Sequence, residues 1–418
     1  MMRIVAAAIP LCLLLQVAPV PTATSLNDLP KGEVPALYFG LNDAGRAWTR
    51  PWPTIETGAI RVFDSAWVYV EPQRGQWVFE NLDRDVDEAH KRGQDLDLIL
   101  VSTPTWASAR PTEPGRTPGA SAEAADIKDW EAYVSAVAKH FKGRVHTYEL
   151  WNEPNLKYGF TGDMPHLAAL TKSAYRILKQ TDPSIVVISP ALANVNPIPY
   201  LRSFLEAGGA GSFDVLGFHF YDNLGNPAIH PENIVGTAGQ LRRVLNSAGL
   251  ASTPIWNTES GYYIASGPQA HYHNTHWPGG IHILGQAEAV QALGRSYILG
   301  WPAGIQRFYW YAWGEPAYAF VDDGGASEKD VTQAYKTVRR WLLGKRYLDV
   351  SRSASGVWIV HIEDAHHKPA WIIWNETGAE NFEIPKEWGV TQSESLLAQT
   401  QPLPPTAFAV THSPTLLF

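Results

Sequence analysis

Two glutamates stand out by position. Glu153 lies in Tyr148-Glu149-Leu150-Trp151-Asn152-Glu153-Pro154-Asn155, and Glu259 in Ile255-Trp256-Asn257-Thr258-Glu259-Ser260-Gly261. Each follows a short β-branched, aromatic or apolar run. Pro154 cannot donate to a ladder and biases the residue before it towards extended backbone, so Glu153 is expected as the last extended residue of a strand. Gly261 lets the chain turn sharply after Glu259. Two carboxyls facing each other across a pocket can cleave an acetal. One, protonated, gives its proton to the departing oxygen, while the other, ionised, attacks the carbon. Their environments must therefore push the two pKa values apart.

The neighbours of the pair suit the same chemistry. Asn152 offers an amide to a sugar hydroxyl, and Arg61 can pair with Glu259 and favour its charged form. His219 and Tyr221, two residues apart, share one face of a strand, and the Tyr221 phenol can hold Glu259 ionised. Glu149 is two strand repeats before Glu153 and reads as a buried ion-pair partner competing with Glu259 for Arg61. Trp106 and Trp313 are stacking candidates. Seventeen Trp and seventeen Tyr beside three Met suit rings that pack on the apolar face of a sugar. Glu71 and Glu315, each before a proline, are alternative strand-tip acids without supporting neighbours. His271, His273, His276 and His282 match no helical pair of metal ligands. They are expected to line the cleft, and neither metal nor cofactor is expected.

The elements that must position these groups alternate along the chain. Strands are expected at 38–42, 59–64, 96–101, 145–150, 185–189, 213–221, 254–259 and 306–313. Helical periods fall at 81–91, 128–141, 167–180, 199–207, 232–248, 285–299 and 331–343. Eight strands each followed by a helix or long connection predict an α/β fold, a (β/α)8 TIM barrel. Glu153 then caps the fourth strand and Glu259 the seventh, across one mouth. A doubly wound open sheet would show a Gly-rich phosphate turn after the first strand, and Asn42-Asp43-Ala44-Gly45 is not one. The Pro- and Gly-rich stretch 111–119 is long enough to cover a site.

After Gly344 short β-type runs alternate with turn residues and prolines. Residues 345–418 are expected to form a small antiparallel, sandwich-like β-domain. At the other end, Arg3, the apolar run Ile4 to Val20 and the small residues ending at Ala23 read as an export signal over 1–23. The barrel is then expected over 24–344, in the periplasm or outside the cell. Cys12, the single cysteine, falls in the signal, so no disulfide is expected. No later run is long and apolar enough to span a bilayer, so no stable membrane insertion is expected once the signal is removed. A net charge of −8 supplies no basic field for nucleic acid. Asn375-Glu376-Thr377 matches a glycosylation sequon.

Trp-Asn-Glu-Pro at 151–154, His-x-Tyr at 219–221 and Thr-Glu at 258–259 together resemble the retaining glycoside hydrolases of clan A. The texture is most similar to glycoside hydrolase family 39, its exopolysaccharide-hydrolase and β-xylosidase-like members, with family 5 next. The resemblance covers about residues 35 to 345. It implies that Glu153 is the acid/base, Glu259 the nucleophile and Asn152 the contact to the sugar 2-hydroxyl. The activity it implies is hydrolysis of β-glycosidic bonds in a polysaccharide or oligosaccharide by double displacement. The aromatic count and long loops favour endo action. The alternatives are an exo-acting β-xylosidase-like enzyme, a transglycosylase and a non-catalytic carbohydrate-binding protein.

Overall fold

The computed structural model describes residues 24–26, 29–43, 52–115, 117–222, 229–265, 283–315, 318, 320–322, 327–404 and 407–418. The export-signal stretch and the four histidines between 271 and 282 lie outside the described residues.

Parallel strands at Phe39–Asp43, Ala59–Val62, Asp95–Leu100, Thr147–Leu150, Val186–Ile188, Leu192–Ala193, Leu216–His219, Ile255–Ser260 and Ile305–Trp310 form one sheet. Its two ends are Val186–Ile188, within the expected fifth strand at 185–189, and Leu192–Ala193, a short strand beyond it that was not expected, with Pro190 between them. The first pairs with the fourth strand and the second with the sixth. Residue bridges Asn152–Ala191 and Ile188–Val215 complete the seam, so the sheet closes into the expected cylinder. Leu98, Ile99 and Leu100 are all buried, as strands covered on both faces require.

The helices follow the periods seen in the sequence. Ile127–His140 starts at Asp126, whose carboxylate accepts from the Lys128 amide, and buries Trp130, Tyr133, Val134, Val137 and Ala138. Met164–Thr181 is capped in the same way by Asp163, with a proline in its first turn. A short helix, Trp67–Val70, occupies what reads in the sequence as plain loop. The sixth strand stops at His219 and the eighth at Trp310, earlier than alternation suggests. A register shift between Phe218 and His219 ends the regular ladder with the seventh strand. Tyr221 and Trp313 therefore stand on the rim beyond the ladder.

The C-terminal residues form a seven-stranded sheet with a two-stranded sheet beside it. Pairing is antiparallel throughout. Thr24–Ser25 joins its edge against Arg346–Arg352. Alternation divides the sheet. Trp358, Val360, Ile362, Ile372 and Trp374 pack into the main core, whereas Val357, Trp371, Ile373, Phe408 and Val410 make a second one. The sequon nitrogen is committed: Asn375 is 2 % exposed and its amide donates to Glu380 at 3.1 Å.

Candidate active site

The fourth strand ends at Leu150, and the chain then turns. Trp151 has φ 71° and Glu153 φ 47°, so Glu153 is left-handed and not extended as its proline neighbour suggests. The reason lies in the surrounding backbone. The Trp151 amide donates to the Leu100 carbonyl and the Glu153 amide to that of Ala191, both at 2.9 Å, suspending the segment between the third and fifth strands. The Trp151 ring pins the turn, with Nε1 donating to the Gly159 carbonyl at 2.9 Å and an edge-to-face contact with Phe160. A Cβ at Gly159 would lie 1.8 Å from the Glu153 carbonyl oxygen, so only glycine fits. Holding a side chain in such backbone regions costs about 1–3 kcal/mol, and here it brings Glu153 onto His219.

Glu259 reaches the same mouth from the seventh strand and is 8 % exposed. One of its oxygens accepts the Tyr221 hydroxyl at 2.7 Å, the other the Arg61 Nη1 at 2.7 Å. Burial pushes the Tyr221 phenol up, and the Glu259 charge adds to this, so it stays a donor. Gly261 serves close approach and not a sharp turn. A Cβ there would lie 2.0 Å from the Tyr311 carbonyl oxygen, next to the Tyr311 amide's bond to Ser260 at 2.7 Å.

Arg61 ties the two tips together from below. Its Nη1 also donates to Asn42 Oδ1 at 2.9 Å, and its Nη2 to Glu149 at 2.5 Å and Asn152 Oδ1 at 2.8 Å. Glu149 and Glu259 thus share the guanidinium simultaneously. Burial opposes the Arg61 charge, but Glu149, Glu259 and Asp97 outweigh it and hold the group protonated. Arg61 Nη2 also lies 3.3 Å from His219 Nε2. A guanidinium can only donate, so Nε2 accepts and the ring proton of neutral His219 is on Nδ1. That proton points at Glu153 Oε1, 2.9 Å away. Burial drives the His219 pKa down to about 4, so the ring is neutral. Burial pushes the Glu153 carboxyl up to about 7, against the pull of Arg61.

Oxygens of Glu153 and Glu259 and a ring nitrogen of His219 all lie within 4.8 Å of one another. Such a trio can hold a metal ion in principle. Here the Nδ1 lone pair carries a proton and the guanidinium of Arg61 sits alongside, both unfavourable to a cation.

The remaining sequence candidates divide. Asn152 is in the network through Arg61. Trp313 is 2 % exposed, with its amide on the Asn42 carbonyl at 3.1 Å, which places it beside that network on the rim. Trp106 is part of a separate cluster: its Nε1 donates to the Glu71 carbonyl at 3.0 Å, it packs edge-on to Trp67, and the Arg74 guanidinium covers it at 4.5 Å. Glu71 is a loop fastener, accepting from Trp67 Nε1 and the Gly75 amide. Sequence reading overlooked Asn42, which it took only as a strand stop. The available signal was a polar residue ending a barrel strand, where side chains meet at the mouth.

No protein-family model matches the chain, and no curated protein matches it in sequence. Solved structures do match. A family 39 glycoside hydrolase from the gut symbiont Bacteroides cellulosilyticus WH2 superposes with TM-score 0.66 at 18 % identity, covering 87 % of this chain and 75 % of that one. A GH39 β-xylosidase from Caulobacter crescentus gives TM-score 0.58 at 16 % identity, over 94 % and 98 % of the two chains. A family 30 subfamily 8 xylanase from Clostridium acetobutylicum gives 0.59 at 14 % identity, over 93 % and 96 %. The fold is therefore the (β/α)8 barrel with attached β-domain found among glycoside hydrolases of families 39 and 30.

Proposed function

We propose that this protein is a retaining β-glycoside hydrolase, with Glu259 as nucleophile and Glu153 as acid/base. The observation that carries the reading is the carboxylate pair, with oxygens within 4.8 Å at two strand tips. Retaining enzymes place their carboxyls about 5–5.5 Å apart, whereas inverting ones leave room for a water at about 6.5–9.5 Å.

The roles follow from the donors each carboxyl meets. Glu259 faces a guanidinium and a phenol, both of which favour the charged form that attacks. Glu153 has its pKa raised to about 7 by burial and so is substantially protonated at neutral pH. His219 donates to Oε1, so the acid proton resides on Oε2. Glu259 attacks the anomeric carbon as Glu153 protonates the departing oxygen, giving a glycosyl-enzyme. Glu153 then takes a proton from water as the second displacement proceeds. Asn152 Oδ1 accepts from Arg61, which leaves its amide nitrogen to donate to the sugar 2-hydroxyl. Trp313, beside the Asn42–Arg61 network on the rim, floors the sugar site.

The substrate is a polysaccharide or oligosaccharide, with endo action favoured by the long Pro111–Gly119 connection. Similarity to the structures of a β-xylosidase and a xylanase puts β-xylosides first on a substrate panel. Export to the periplasm or beyond fits the N-terminal stretch, and among the described residues no helix is long and apolar enough to cross a membrane. The test is turnover on aryl β-glycosides and β-linked polysaccharides, with products sized and their anomeric configuration followed by NMR. First-formed β product supports the reading. Inverted product from the wild type, or wild-type rate in Glu259→Ala, would overturn it. Azide should restore turnover to Glu259→Ala with inverted product.

A further inference from the structure

Of the two carboxylates that hydrogen-bond Arg61, one has no part in the proposed mechanism. Glu149 lies in the strand Thr147–Leu150 and is fully buried. Its Oε1 accepts from Arg61 Nη2, and its Oε2 is buried without a hydrogen-bond partner. A carboxylate placed so is costly to desolvate. Arg61 does not need it as a first counter-ion, because Glu259 already accepts from Nη1 at 2.7 Å. Asp97, on the neighbouring strand, stands further off, 3.9 Å from Nε.

The two ends of the guanidinium fork are held separately. Nη2 is fixed by Glu149 at 2.5 Å and Asn152 at 2.8 Å, and Nη1 by Glu259 at 2.7 Å and Asn42 at 2.9 Å. The fork is planar, so anchoring Nη2 fixes where Nη1 points. In the first displacement a Glu259 oxygen bonds to the anomeric carbon as the bond to the departing oxygen breaks. The Glu153 proton goes to that departing oxygen. Glu259 is then a neutral ester, and Arg61 has lost one of its two hydrogen-bonded counter-ions. Glu149 takes no part in either displacement and keeps the guanidinium paired.

We infer that Glu149 is a positioning residue for the nucleophile, acting through the guanidinium it shares with Glu259. It aims Nη1 at Glu259 and remains as the counter-ion of Arg61 while Glu259 is esterified. A second anion beside the guanidinium also tempers its pull on the Glu259 carboxylate, whose lone pair is then freer to attack. The titratable groups facing this pair are Arg61, Asp97, Glu153, His219, Tyr221 and Tyr318. The inference rests on the glycosidase reading for the reaction it serves.

The first test compares pH profiles. Glu149→Gln keeps the shape and an acceptor oxygen but removes the charge, whereas Glu149→Asp keeps the charge on a shorter stem. In Glu149→Gln the acidic limb of kcat/KM, which reports ionisation of the nucleophile, should move about one unit to lower pH. In Glu149→Asp it should stay at the wild-type pH. A limb unmoved in Glu149→Gln, as a purely structural role requires, would overturn the inference. The second test needs no turnover. Gln at 259 is neutral, as the ester is, so Glu259→Gln protein depends on Glu149 to pair Arg61. Melting temperatures of the wild type, Glu149→Gln, Glu259→Gln and the double variant form a cycle. The double variant should lose more than the two single losses added together, or fail to fold while both single variants fold. Additive losses, or loss of the fold in Glu149→Gln alone, would overturn the counter-ion role. Absence of any wild-type hydrolysis across the aryl glycoside panel would sink the glycosidase reading instead, and the melting cycle would still judge the pairing.

Discussion

The tips of the fourth and seventh strands each present a glutamate to the same mouth, but by different means. The seventh-strand tip stays within the ladder, although its register shifts against both neighbours. Glu259 lies within the strand Ile255–Ser260 and meets two strong donors at 2.7 Å, Arg61 and Tyr221. The fourth-strand tip is irregular, with two left-handed residues that turn Glu153 out of the ladder and towards a neutral imidazole. One environment supports charge and the other leaves a carboxyl poorly solvated. The difference teaches that two chemically identical side chains can be given unlike surroundings in one mouth, and the proposed division into acid and nucleophile rests on that.

The comparison can be broken most severely at the nucleophile. Glu259→Gln should lower kcat by on the order of 10⁵-fold, the scale seen when a covalent nucleophile is deleted, with no accumulation of glycosyl-enzyme in a rapid-quench experiment. Removing the acid should cost less. Glu153→Gln should lose about 10²–10⁴-fold on natural linkages, yet much less on aryl glycosides with acidic leaving groups. The alkaline limb of kcat/KM, expected near pH 7 from the raised Glu153 pKa, should disappear in the same variant. A leaving-group-independent loss would mean that Glu153 is not the acid.

Tyr221→Phe sharpens the contrast at the donor side. It removes one hydrogen bond to a charged group, worth about 1.5–3 kcal/mol, so kcat should fall roughly 10- to 150-fold. The pH of the alkaline limb should stay put, since Glu153 is held by His219. The smallest effect is on stability. Glu153 binds its proton more tightly in the fold than at its ordinary pKa of 4.5, rising to about 7. Its contribution is complete below the unfolded value and is lost as pH climbs through 7, by at most about 3 kcal/mol. Glu153→Gln has no such proton to lose. Its Tm relative to wild type should therefore rise between pH 4 and pH 8. A constant difference would contradict the buried, proton-holding environment.

Much of the molecule was legible in advance because its signals are local. Apolar runs bounded by polar or turn residues gave eight strands in order, and helical periods gave the connections. Glu153, Glu259, His219 and Tyr221 were visible as polar residues at the ends of such runs, and Arg61 as a charge inside one. The misses are all non-local. Glu153's backbone was expected to be extended, since Pro154 speaks only for the adjacent residue, whereas hydrogen bonds to Leu100 and Ala191 set the turn. Gly261 read as a turn residue because nothing nearby in the chain reveals Tyr311 above it. Asn42 looked like a strand stop until the cylinder closed around Arg61. Trp106 looked like a sugar platform, but Arg74, distant in sequence, stacks on it.

The sequence by itself therefore determined the order of elements and which residues end up at the strand tips, because the side-chain periods of strands and helices are properties of neighbouring residues. Only the tertiary structure decided which oxygen of Glu153 keeps its proton and that Glu149 and Glu259 divide one guanidinium. Those outcomes depend on desolvation and on distances of a few ångströms between residues far apart along the chain, and both come into being only when the sheet closes.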